Sequence, residues 1–129
     1  MLDEIQYKAL MRAVSAEAAA GSEEAREDLE FLEGHQRNFL GYVHAVGLSE
    51  IGINAAEVLL EGETLRARVS ELDGARTAAH NAAIASAGAI NRIAAAYGVG
   101  PVYLGDLTRR REVAQFCLEF TELIFRERR

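Results

Sequence analysis

One nine-residue stretch, "GVGPVYLGD" at 98–106, cannot continue a helix. That stretch combines three glycines with the only proline, Pro101, and proline both lacks an amide N–H and clashes with the preceding helical turn. Elsewhere apolar residues recur every three or four positions, and no segment alternates like a half-buried strand between turn signals. The expected fold class is all-α.

Five helices are expected, over about 2–20, 22–46, 54–72, 74–97 and 107–127, packed as an antiparallel bundle in a single domain spanning 1–129. The first puts Leu2, Ile5, Ala9, Leu10, Ala13, Ala16 and Ala20 on one face and stops at Gly21. Ser22 caps the second, with Glu23 and Glu24 at the positive end of its dipole, and its stripe of Ala25, Leu29, Leu32, Phe39, Val43 and Val46 ends at Gly47. Ile53, Asn54, Glu57 and Val58 fit a capping box with a hydrophobic staple at the start of the third. Its stripe is Ala55, Val58, Leu59, Gly62, Leu65, Val69 and Leu72. Asp73 and Gly74 then mark a break, since one is a good cap and the other a poor interior residue. The heptad phase nevertheless passes from Leu65, Val69 and Leu72 to Ala83, Ala87, Ile90 and Ala94 without slipping, so a single helix over 54–97 is the alternative. Asp106 caps the last helix, whose stripe is Val113, Phe116, Cys117, Phe120, Leu123 and Ile124.

A chain of 129 residues suffices for one core. Its formal charge of −6 argues against broad electrostatic binding to nucleic acid or to an anionic membrane, and no apolar run reaches membrane-spanning length. Asp3 and Glu4 stand where a secretory signal carries basic residues, so a cytoplasmic location is expected. The lone Cys117 lies in the apolar run "VAQFCLEF" and reads as a buried hydrophobe. No histidine has an acidic residue three positions away and no HExxH occurs, so neither a metal nor any other cofactor is expected.

Polar residues set into the alanine-rich stretch 76–98 are the natural site candidates. On a helical wheel His80 and Asn91 fall about 20° apart with Arg76 alongside, at the edge of the apolar face. Arg76, His80 and Asn91 form either a satisfied structural cluster or a small-ligand pocket. Two seams of small residues, Gly34, Asn38, Gly41 and Ala45 on one helix and Asn81, Ala85, Gly88 and Arg92 on another, permit close helix approach and suggest a homodimer interface. Arg109, Arg110 and Arg111 sit where the dipole disfavours cations, which calls for a nearby acid, a bound anion or an acidic partner.

Two resemblances add expectations. "RNFLGYVH" resembles the Arg-Asn-x(n)-His element of the HEPN helical-bundle ribonucleases. That resemblance implies metal-independent RNA cleavage at a dimer interface, with His44 transferring a proton, Arg37 stabilising phosphate charge and Asn38 in support. The stretch 76–118, through Arg76, His80, Ile84, Asn91, Arg92 and Asp106, resembles a family of short bacterial helical proteins catalogued as a domain of unknown function. This second resemblance implies a small cytosolic helical protein and no activity. The leading expectation is a non-enzymatic, self-associating interaction module with a possible protein partner. The ribonuclease and a ligand sensor using Arg76, His80 and Asn91 are the alternatives.

Overall fold

A computed structural model of the chain describes residues 1–128, with four helices: α1 (Glu4–Ala19), α2 (Glu23–Leu59), α3 (Gly62–Ala96) and α4 (Arg110–Glu127). The class is all-α, with four helices among the described residues where five were expected. Leu2 and Tyr103 form an isolated antiparallel bridge.

Local chemistry starts the first two helices. Asp3 accepts the amide of Gln6 at 3.1 Å and Ser22 that of Ala25 at 3.2 Å, each satisfying one of the amides that a helix start leaves free.

The next boundaries differ from expectation. α2 does not end near 46; it runs through Gly47 and through Ile53, Asn54, Glu57 and Val58, so the capping-box residues are interior helix. α3 passes through Asp73 and Gly74 without the expected break, as the single-helix alternative had it at that junction, but it starts at Gly62 and not at 54. The reversal falls instead at Leu60 and Glu61, both extended, followed by Gly62 at φ 59°, a left-handed conformation that glycine adopts without strain. Tertiary pairing explains the change. α2 and α3 run antiparallel in constant register, Tyr97 meeting Asp28, Ser86 meeting Asn38, and Leu72 lying over Gly52. A Cβ on Gly52 would stand 2.8 Å from Leu72 Cδ1, so the glycine permits this close approach. Ser49 and Ala56 are buried in the distal half of the pair. A cap at Asn54 would contribute about 1 kcal/mol, less than the burial that a continuous α2 keeps against α3. Asp73, expected as a cap, holds Arg76 one turn along instead.

The last helix also starts later than expected. α4 begins at Arg110 with Arg109 as its N-cap and no side-chain capping bond. Asp106 closes the preceding turn, accepting the Thr108 amide at 2.9 Å and hydroxyl at 2.7 Å.

At 1.5 Å per residue, the 37 residues of α2 and 35 of α3 each extend beyond 50 Å, about twice the reach of α1 and α4. The short helices therefore cover only one end of the long pair. There Phe39 packs edge to face on both Phe116 and Phe120, its ring centre 4.8 Å from that of Phe116, and Tyr7 and Tyr103 join them. Cys117 lies fully buried beside them, and burial pushes its thiol up to about 12. Beyond this core, residues 47–74 project as a bare helical hairpin.

The 99–104 segment ties α1 to α3. Asn91 Oδ1 accepts the amides of Val102 and Tyr103, both at 2.9 Å, and Asn91 Nδ2 donates to the Tyr103 carbonyl at 3.0 Å. Gln6 accepts the Gly100 amide at 2.9 Å, and Glu119 accepts the Leu2 amide at 2.6 Å. Asn91→Ala leaves two amides without their acceptor in a buried segment, and is expected to destabilise by about 3 kcal/mol in urea unfolding. Gly74→Ala tests helix continuity. Nothing lies within 4 Å of a Cβ there, so the variant should gain about 0.5–1 kcal/mol; a loss would place a break at that position.

Candidate functional site

Three helices converge on a basic cleft where the covered end of the fold gives way to the projecting hairpin. Tyr42 and Val46 come from α2, Arg76, Thr77 and His80 from α3, and Arg110 from the first turn of α4, enclosing about 220 Å³. In a chain of net charge −6, no acidic side chain lines this cleft. Arg76 keeps Asp73 as an ion partner, and Arg110 has no ion pair among the described residues. The His80 ring packs at 5.3 Å from that of Tyr42. His80 is 5 % exposed, and its Nε2 has no hydrogen-bond partner among the described residues.

Two arginines and two hydroxyls around a small volume suit an oxyanion, because guanidinium forks donate paired hydrogen bonds to carboxylate or phosphate. Beside the cleft, and sharing Tyr42 and Val46 with it, lies an apolar dimple of about 100 Å³ completed by Val43, Ala114 and Leu118.

The sequence candidates separate in space. Arg76 and His80 meet, as expected, but Asn91 lies three turns further along α3 with all of its described bonds made to the 102–103 backbone. Of the three arginines at the start of α4, Arg110 joins the cleft, Arg109 lies 4.0 Å from Asp106 and 3.9 Å from Glu112, and Arg111 faces a separate hollow beside Glu112 and Glu119. Tyr42 and Thr77 were missed. Their only advance signal is register, since they reach Arg76 and His80 once α2 and α3 are paired.

The small-residue seams are only partly covered. Asn38 donates to Ser86 Oγ at 2.8 Å and His35 Nδ1 lies 3.1 Å from the same hydroxyl, so Asn38 serves the α2–α3 contact. Gly88 sits under Leu107, while Gly41, Asn81, Ala85 and Arg92 are exposed and Gly34 and Ala45 half-buried. Arg37 and His44 are also exposed, about 10 Å apart along α2 by helical rise, and neither makes a side-chain hydrogen bond among the described residues. A shallow hollow of about 620 Å³ beside Phe31, His35 and Arg37 is lined by α2 alone, so no second element closes it.

The sequence profile of a family described as "Protein of unknown function (DUF3232)" matches residues 11–129. The chain belongs to this family. The match takes in every residue of the cleft and most of α1. No curated protein and no solved structure matches this DUF3232 chain. Among the described residues no helix is long and apolar enough to cross a membrane, and no group of three His, Cys, Asp or Glu side chains could hold a metal ion.

Burial holds the His80 imidazole below its ordinary 6.5, and the Arg110 guanidinium adds to the effect. Burial and then Arg92 act likewise on His35. The unfolded chain therefore takes up these protons first as pH falls, so this stability is complete above about 6.5 and declines below it. The thermal midpoint is expected to drop between pH 7.5 and 5.5, and less so in a His35→Gln, His80→Gln double variant followed by circular dichroism; an equal drop in both proteins would exclude the histidines as its source.

Proposed function

We propose that this DUF3232 protein is a helical interaction module that pairs with a second copy of itself along α2. One observation carries the reading. Arg37, Gly41, His44, Leu48, Ile51, Ala55 and Val58, spaced alternately four and three residues apart, are all exposed on one face of α2. This is the heptad spacing of a coiled-coil seam, and its distal half is apolar. Leu48 is 52 % exposed, Ile51 69 % and Val58 84 %. A contiguous apolar stripe of this kind on a helix that already buries another face is a mark of an interface.

Size and charge along the stripe favour a second copy in antiparallel orientation. A two-fold axis between Glu50 and Ser49 sets Leu48 beside Ile51, His44 beside Ala55 and Gly41 beside Val58 of the other copy, so that small residues receive large ones. It also brings Arg37 to the turn that carries Glu61 and Glu63. A parallel pair would stack Arg37 on Arg37 and leave Gly41 facing Gly41. The antiparallel arrangement holds Arg37 of one copy about 27 Å along the axis from His44 of the other, so it lends no geometry to the ribonuclease reading.

Sedimentation at micromolar concentration is expected to show a dimer, and Ile51→Glu a folded monomer with an unchanged helical spectrum. A monomeric wild-type protein would overturn the reading and leave a different protein as the occupant of the stripe. Orientation is checked with spin labels on introduced cysteines, since Cys117 is buried and its thiol protonated. Labels at position 50 should lie close together across the dimer, whereas labels at position 37 should stand at least about 35 Å apart; short distances at both would mean a parallel pair.

A further inference from the structure

We propose that the cleft between Tyr42, Arg76, Thr77, His80 and Arg110 binds a small organic oxyanion, a carboxylate or phosphate monoester, whose apolar body lies in the adjoining dimple.

Four features of the cleft support this assignment. Both cations lining it are guanidiniums, the side-chain group whose fork matches a planar carboxylate or a phosphate face. Arg110 is the first residue of an 18-residue helix whose N-cap makes no side-chain bond, so the positive end of the α4 dipole adds to the same potential. His80, more than nine-tenths buried, forms the wall behind Tyr42, with the two rings 5.3 Å apart, and its Nε2, closed to solvent, has no hydrogen-bond partner among the described residues. The acid-free lining stands out against an acidic chain, and burial raises the Tyr42 hydroxyl above its ordinary value, which keeps it a donor at neutral pH.

The second half of the ligand follows from what adjoins the cleft. Tyr42 and Val46 line both spaces, and the dimple beyond them is walled by Val43, Ala114 and Leu118. Leu118 is 47 % exposed, so part of its apolar surface is open to a ligand. A bare inorganic ion would use the arginines and leave that surface wet, whereas a compact aryl or short alkyl group attached to the oxyanion would cover it. The cleft lies on the side of α2 opposite the heptad stripe, so binding there does not depend on self-association.

Calorimetry on the full chain with phenyl phosphate, benzoate, inorganic phosphate and benzyl alcohol separates the contributions. Phenyl phosphate or benzoate is expected to bind more tightly than inorganic phosphate, with benzyl alcohol weakest; the better of the first two identifies the preferred head group. Arg110→Gln should weaken the aryl anion roughly tenfold, as expected for one charged hydrogen-bonding partner, whereas Arg111→Gln, one residue away and outside the cleft, should not. Leu118→Glu should weaken the aryl anions more than inorganic phosphate. No binding of either aryl anion at millimolar concentration, equal losses in Arg110→Gln and Arg111→Gln, or benzyl alcohol binding as well as benzoate would each overturn the proposal. Arg76→Gln, on the exposed rim of the cleft, serves as the second variant and should also weaken the aryl anion, whereas unchanged affinity in both Arg76→Gln and Arg110→Gln would overturn the proposal.

Discussion

The side-chain amide of Asn91 occupies three backbone groups of the 102–103 segment and thereby decides how the chain crosses from α3 to α4. That crossing contains Pro101 and cannot be helical, so its polar backbone groups need partners from elsewhere. Asn91 supplies them from within α3, Gln6 supplies another from α1, and the bridge with Leu2 completes the set. Val102 and Tyr103 are thus held in the core, Tyr103 against Phe116, and α4 sets out from a fixed point. Arg110 reaches the cleft beside Arg76 and His80 because the crossing is anchored in this way.

A second constraint is unequal helix length. α2 and α3 are twice as long as the helices that cover them, so the aromatic core occupies one end and the other end remains a two-helix hairpin. Two consequences follow from this geometry. The junction between covered and uncovered halves is a concave place where three helices meet, and the basic cleft lies there. The uncovered half of α2 has one apolar edge against α3 and a second facing solvent, the arrangement from which the proposed self-association arises.

The readability of the sequence varied with the range of the interaction. Asp3 and Ser22 act within one turn, and the Ser22 cap was legible. The stripe of α4 was legible because a single amphipathic helix against one core displays its period directly. The capping box at Asn54 was a false signal of the same local kind, overridden by the contact of Gly52 with Leu72 twenty positions away. Once α2 was cut at Gly47, its exposed heptad was divided between two supposed helices and could not be seen. For the cleft, Arg76, His80 and Arg110 were each singled out for separate reasons, but nothing local joined Arg110 to the other two or parted Asn91 from them.

The sequence by itself determined the class: the one proline stands among three of the eleven glycines at 98–105, and helical spacing elsewhere leaves no alternative to helices. It also determined which residues were chemically conspicuous, since arginine, histidine and asparagine stand out in an alanine-rich helix. Only the tertiary structure decided where the long helices turn, because a mid-helix glycine and a good cap differ by about a kilocalorie per mole either way, and the pairing of α2 with α3 outweighs both. The same pairing chose which polar residues meet, placing Tyr42 and Thr77 with Arg76 and His80 while fastening Asn91 to the backbone three turns away.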